Sequence, residues 1–446
     1  MYGSILIVIA IAGIFLLLYL VMGVKLHAFV ALLLVSLLVG IAAGMPLGEI
    51  LSSVESGMGG TLGFVAVVVG LGAMFGRMLE VSGGAERLAQ TLIGKFGEKN
   101  SQWALGITGF IVAIPVFFDV GFIILVPIIY GLAKKTGKSL LFYGIPLLAG
   151  LAVTHAFIPP TPGPIAVATI IQADLGWVIL FGVLAGIPSM ILAGPVFGKF
   201  IAKRIHVTVP EYMEVEKKEY DKDLPSFGLI AFLVFIPLIL ILANTLSGVL
   251  LDEGNTVRSF LTFLGHPFVA LTIATLLTFI LLGTRRGYTR DEVQDIATKA
   301  LEPAGIIILV TGAGGVFKQI LIDSGVGDVL GQMMANSALP PIMMAFAIAL
   351  LVRIAQGSAT VAMVTAAGLI TPLIDAIGYS GPILGLIVIA IAAGATAVSH
   401  VNDSGFWLVN RYFGLDVKDT LKTWTVMETI IGVTGFLVVF AISLFI

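Results

Sequence analysis

Hydrophobic positions along this chain neither alternate nor mark out a single helix face; they run on almost unbroken for the length of a bilayer. The first such runs are Ser4–Met22, Ala28–Gly44, Thr61–Leu79, Trp103–Ala133, Leu140–Ile171 and Trp177–Phe200. A polar stretch, Ile205–Ser226, separates them from Phe227–Leu250, Phe260–Leu282, Pro303–Ile322, Pro340–Ile377, Pro382–Phe413 and Trp424–Ile446. About 20 apolar residues cross the hydrocarbon layer as a helix, so the pattern predicts an all-α polytopic membrane protein. No Lys or Arg precedes the first run, whose first following cation is Lys25. A cleavable signal segment needs a basic start, so this run reads as the first span.

Four runs are interrupted. Trp103–Ala133 and Pro340–Ile377 are too long for one span and too short for two, with small and polar residues near their centres: Phe118–Gly121 and Gln356–Thr360. Each is expected to be a re-entrant hairpin, a form tolerated only where the backbone is buried in protein or lines a wet cavity. The run from Leu140 breaks at Thr154–Pro164, where Pro159, Pro160, Pro162 and Pro164 cannot share a continuous helix. The run from Pro382 breaks at Ser399–Gly405, the sequence SHVNDSG.

The two series resemble each other. His27–Leu32 (HAFVAL) and His266–Leu271 (HPFVAL) agree at five of six positions, and Ala152–His155 (AVTH) answers Ala397–His400 (AVSH). Between them, Gly70, Gly72, Phe75, Ser82 and Gly83 recur as Gly312, Gly314, Phe317, Ser324 and Gly325. We therefore read residues 1–204 as one repeat, 205–226 as a linker and 227–446 as a second repeat. The first holds a hairpin at 103–133 and a broken helix at 140–171; the second holds a hairpin at 340–377 and a broken helix at 382–413. Counting both hairpins as re-entrant places all but four of the 24 Lys and Arg on one face. The exceptions are Arg77, Arg258, Lys318 and Arg353. Basic loops face the cytoplasm, so both termini are expected to be periplasmic. The two halves are then inverted, with hairpins entering from opposite sides. Inverted repeats with paired broken helices suit a secondary transporter whose site lies at the midplane.

Composition sharpens this reading by exclusion. Hydrophobic residues make up 58% of the chain, charged residues 11%, and the mean hydropathy is +1.10. A soluble domain carries about 25% charged residues, which excludes a disordered chain or a nucleic-acid binder. With no cysteine there is no thiol chemistry and no disulfide framework. No metal-ligand spacing or nucleophile–base pair stands out, so no cofactor and no enzymatic activity are expected.

The breaks carry the candidate chemistry. Asp119 sits at the first hairpin, with Gln356, Ser358 and Thr360 at the second and Arg353 about one turn before them. His155 lies at one helix break; His400, Asn402, Asp403 and Ser404 lie at the other. A half-helix that begins at a break directs free N–H groups and partial positive charge at the midplane, which suits an anion. Arg353 can grip a carboxylate with two N–H groups, and the hydroxyls and amides suit a polyhydroxylated solute. Asp119, Asp403, His155 and His400 can exchange protons. Each also has a structural alternative: Asp403 as a helix N-cap, Arg353 as half of a buried ion pair, the histidines as donors to freed backbone. Lys318 and Arg77, near span ends, read as snorkelling cations, and His27 and His266 as interfacial anchors.

At these same residues the chain resembles the gluconate permease family of bacterial inner-membrane transporters. The similarity is carried by Gly59–Gly63, Phe117–Gly121, Pro159–Pro164, Arg353–Ala362 (RIAQGSATVA) and Ser399–Trp407 (SHVNDSGFW). It implies an ion-transporter-superfamily fold, an elevator-type motion and a homodimer. It also implies uptake of gluconate or a related aldonate, with D-serine as an outlying substrate. Two positions depart from the gluconate pattern, Asp119 where Glu is usual and Thr161 where His is usual, and both bear on substrate and proton carrier. The resulting expectation is a proton-coupled sugar-acid symporter in the lipid bilayer. Substrate contacts fall to Arg353, Gly357, Ser358, Thr360, Thr161, Asn402 and Ser404, and proton coupling to Asp119, His155, His400 and Asp403. Sodium coupling through carbonyls freed at the breaks, or a passive channel, remain the alternatives.

Overall fold

The computed structural model describes residues 2–97, 100–210, 224–325 and 339–446, and among them the chain is helical with no strand. The charged cluster between Glu211 and Asp223 of the expected linker lies outside the described residues. In the first half, α1 is Tyr2–Met22, α2 Ala28–Ala42, α3 Leu47–Val81, α4 Gly84–Phe96, α5 Ser101–Val112, α6 Phe118–Thr136, α7 Leu140–Phe157, α8 Pro162–Ile170 and α9 Leu175–Ile201. In the second, α10 is Phe227–Leu250, α11 Thr256–Leu264, α12 Pro267–Arg286, α13 Arg290–Asp323, α14 Pro341–Gln356, α15 Ala359–Ile377, α16 Pro382–Thr396, α17 Ser404–Phe413 and α18 Val417–Ser443. Eight of the described helices are long and apolar enough to cross a membrane. This is a multi-pass membrane protein.

Among the described residues, and apart from α4 and α11, the second half follows the order of the first, with several matching lengths. α3 and α13 have 35 and 34 residues, α6 and α15 have 19 each, α8 and α17 have 9 and 10, and α9 and α18 have 27 each. His27 and His266, expected as interfacial anchors, cap helices. Each uses Nδ1 to accept the backbone N–H two residues on, at 3.3 Å, and so caps the helix that follows.

Two groups of helices emerge from the packing. α3 and α13 lie along each other most extensively, with α2 against α13 and α12 against α3. At 1.5 Å per residue, a 35-residue helix is about 52 Å long, well beyond the ~30 Å hydrocarbon layer. Beside this frame stand α5, α7 and α9 with α14, α16 and α18, each set packed within itself. α7 and α16 are apolar all round and buried almost throughout, as helices inside a bundle must be. By contrast Ile239, Leu276 and Leu437 are more than half exposed. The hairpin arms reach the broken helices backbone to backbone. A Cβ at Gly150 in α7 would collide with the Gly106 carbonyl of α5, and one at Gly394 in α16 with the Phe346 carbonyl of α14.

Three spans differ from expectation. α3 begins at Leu47 rather than Thr61, because Glu49, Ser52, Glu55 and Ser56 decorate an otherwise helical segment and depress its hydropathy. α13 begins at Arg290, where Thr289 and Glu292 form a reciprocal capping box. The run Phe260–Leu282 divides at Gly265-His266-Pro267. A residue before proline is driven out of the helical region, and His266 has ψ 131°. The amphipathic piece before it, α11, buries no residue. Lys318 does not snorkel: its Nζ donates to the Ile170 carbonyl at the C-terminal end of α8, 2.7 Å away.

Candidate functional site

The helices break at three of the four expected places and just before the fourth, since Phe118–Gly121 are themselves helical. The first hairpin turns at residues 113–117, so Asp119 falls in the first turn of α6. The second turns at Gly357-Ser358, α7 gives way to α8 over 158–161, and α16 to α17 over 397–403. Gly357 has φ +86° and closes α14; a Cβ there would overlap the Asn402 carbonyl, so only glycine lets the hairpin tip meet the break between α16 and α17.

These four places surround one chamber of about 560 Å³. Phe118 and Asp119 of α6, Pro162 of α8, Ala359 and Thr360 of α15, and Ser404 and Gly405 of α17 all line it. The N-termini of four half-helices thus converge on the same space, with their unshared N–H groups and the positive ends of their dipoles.

Arg353, in the last turn of α14 and only 2% exposed, lies in the chamber wall. Its Nη2 donates to Asp403 Oδ2 at 2.5 Å, and its Nη1 to the Gly357 carbonyl. Asp403 also receives the Ser399 hydroxyl on Oδ2 and the Gly405 N–H on Oδ1 at 3.1 Å, capping α17. Trp424 of α18 extends the chain of bonds by donating Nε1–H to Ser399 Oγ at 2.7 Å. Both structural roles raised from the sequence, an N-cap for Asp403 and a buried pair for Arg353, are therefore present. They do not use up the guanidinium, because Arg353 Nε is buried without a partner among the described residues.

Three further buried side-chain atoms in the same wall lack a partner among the described residues: His155 Nδ1, Gln356 Oε1 and Glu428 Oε1. Half of all such atoms in the described chain belong to residues that line this chamber. Buried polar groups are otherwise nearly always satisfied, so the clustering marks a place built to hold polar atoms of something else. Asp119 faces the chamber, exposed, with no hydrogen bond among the described residues.

Nine of the eleven residues singled out from the sequence line this space: Arg353, Gly357, Ser358, Thr360, Asn402, Ser404, Asp119, His155 and Asp403. Thr161 and His400 do not. Thr161 is 4% exposed, and its hydroxyl donates to the Ile158 carbonyl three residues back, at 2.6 Å. His400 points elsewhere, its Nε2 2.9 Å from the Ile354 carbonyl, which also accepts from Asn402. Glu428 and Trp424 of α18 were not foreseen. The signal was present, since Glu428 is the lone acid in the apolar run Trp424–Ile446, and an intramembrane charge is functional by default.

The GntP family of permeases matches residues 5–445. The chain is 44% identical over 429 residues to the low-affinity gluconate transporter of Escherichia coli K12, covering 96% of each. It is 44% identical to the Gnt-II system L-idonate transporter of the same organism, covering 97% of this chain and 98% of that one. With the gluconate permease of Bacillus subtilis it shares 41% identity, over 97% and 98% of the two chains. Among solved structures, the Alcanivorax borkumensis YdaH transporter superposes with a TM-score of 0.67 at 13% identity, covering 94% of this chain and 98% of that one. Neisseria gonorrhoeae MtrF gives the same TM-score over 92% and 93%. Those two show a shared fold.

Proposed function

The chain belongs to the GntP family of permeases, and from that premise we propose that it is a proton-coupled symporter. Its substrate is gluconate or a closely related aldonate, imported across the bacterial inner membrane. Relatives named for gluconate and L-idonate support the substrate class. The observation that carries the reading is the convergence of four half-helix N-termini and Arg353 on one chamber.

Charge explains why a proton should travel with the acid. The chamber wall holds three carboxyls, Asp119, Asp403 and Glu428, and one guanidinium. Four helix starts at about half a charge each, together with Arg353, offset the three carboxylates. A carboxylate substrate then leaves one uncompensated negative charge, which is expensive away from water, and one proton removes it. We assign the substrate carboxylate to the free Nε–H of Arg353 and the half-helix N–H groups. The hydroxyls go to Ser358, Thr360, Asn402 and Ser404. Asp119, open to the chamber, and His155 on the same wall give the proton its way in.

The matching order of the two halves supports a pair of inverted repeats of the ion-transporter type, with both termini periplasmic. α2, α3, α12 and α13 form the scaffold against which the other group moves as an elevator, in a homodimer. Labelled gluconate uptake by purified protein in proteoliposomes tests the proposal. Accumulation should follow an inward proton gradient without sodium and vanish with a protonophore. Passive equilibration alone would leave a channel, and dependence on sodium would replace the coupling ion.

A further inference from the structure

Among the three carboxyls of the chamber, one is placed unlike the others. Asp403 is fully engaged by Arg353, Ser399 and the Gly405 N–H. Asp119 stands open to the chamber. Glu428, on α18, is 4% exposed, and its Oε1 is enclosed without a hydrogen-bond partner among the described residues. The charged groups that act on it come from other elements: Arg353 at the end of α14 and Asp403 at the start of α17. Asp119 of α6 and His155 of α7 complete the titratable lining of the chamber. Within α18 itself, Trp424 lies one turn before Glu428 in the same wall and is committed to Ser399.

Two residues of this wall, Arg353 and Glu428, therefore each hold an enclosed atom without a partner among the described residues, a donor Nε–H and an acceptor Oε1. We propose that Glu428 carries the coupled proton by competing with the substrate carboxylate for the free N–H of Arg353. The proposal rests on the sugar-acid symport reading and adds the residue that enforces coupling. When Glu428 is ionised and no substrate is present, its carboxylate moves onto the guanidinium edge that Asp403 leaves free. One proton from the outer solution neutralises Glu428, its hold on Arg353 lapses, and the substrate carboxylate takes its place. On the inner side the substrate leaves, Glu428 returns to Arg353, and the proton passes to the cytoplasm. Charge balances throughout: one guanidinium faces two carboxylates in either state, Asp403 and one other. The state with Glu428 ionised and substrate bound would crowd three carboxylates around one cation, and this is what forbids substrate movement without the proton.

Glu428→Gln removes the titration and keeps the shape. In proteoliposomes with equal pH on both sides, this variant should still exchange internal labelled gluconate for external gluconate. Under an inward proton gradient its accumulation ratio should fall to about one, and its exchange should lose pH dependence. Glu428→Asp should retain gradient-driven accumulation at a reduced rate. A second readout uses purified protein in weak buffer with a pH indicator: adding gluconate should draw protons from solution for the unsubstituted protein and not for Glu428→Gln. Gradient-driven accumulation or proton uptake by Glu428→Gln equal to the unsubstituted protein overturns the proposal. So does loss of exchange in a monodisperse, normally melting Glu428→Gln, which would place Glu428 in binding instead. Failure of the unsubstituted protein to exchange any aldonate would reject the transport reading itself, a result distinct from either.

Discussion

Replacing Arg353 with methionine separates its two duties. The Arg353–Asp403 pair is enclosed, at 2% and 12% side-chain exposure, and removing one partner of a buried pair costs about 3–5 kcal/mol because the other charge is stranded. Here Asp403 keeps the Ser399 hydroxyl and the Gly405 N–H, which places Arg353→Met at the low end, about 3 kcal/mol. Asp403→Asn added to it removes the stranded charge and should return about 2 kcal/mol. Substrate binding follows a different course. A hydrogen bond to a charged group contributes about 1.5–3 kcal/mol, so losing the Arg353 Nε–H should weaken gluconate binding roughly 10- to 150-fold, and the second substitution should not restore it. Thermal unfolding in detergent and calorimetric titration with gluconate, on both variants, read the two effects apart. If Arg353→Met bound gluconate normally, or the double variant regained affinity along with stability, the guanidinium would be purely structural and the assignment wrong.

Three further outcomes follow from the same geometry. Gly357→Ala should destabilise by about 1–3 kcal/mol, since its φ of +86° and the Asn402 carbonyl both oppose a Cβ; an unchanged melting temperature would show that the hairpin tip can move away. Lys318→Met removes a charged bond to the end of α8, worth about 1.5–3 kcal/mol, and should lower the melting temperature with gluconate affinity held within twofold. A large affinity change would connect this contact to the chamber. Thr161→Val loses only the local bond to Ile158, so substrate ranking among aldonates should stay as it is. A switch in preferred substrate would return Thr161 to the site.

The breaks were legible from sequence because their causes are local. Four prolines within six residues, or Asn-Asp-Ser-Gly inside an apolar run, end a helix wherever they stand. Which neighbour faces the chamber is another matter. His400 and Asp403 occupy the same break, yet the path of residues 397–403 turns one to the Ile354 carbonyl and the other to Arg353. Thr161 is lost from the site for a similar reason, since a carbonyl three residues away satisfies its hydroxyl before any ligand can. Glu428 follows a π-helical turn at Leu421–Thr425 that leaves no break in the apolar pattern, so attention to interruptions passed over it; only packing brings α18 against the chamber. Helix starts at Leu47 and Arg290 escaped hydropathy because caps and exposed polar faces, rather than apolar content, fix them.

The central claim is that one proton enters with each carboxylate, so transport moves no net charge. The direct measurement is the steady-state accumulation of labelled gluconate in proteoliposomes against the imposed pH difference, with the membrane potential clamped at zero and then varied. Each pH unit stores about 1.4 kcal/mol per proton. Accumulation should therefore rise tenfold per unit and be indifferent to the potential. A slope near zero would contradict proton coupling, and a steeper slope with potential dependence would contradict a single proton.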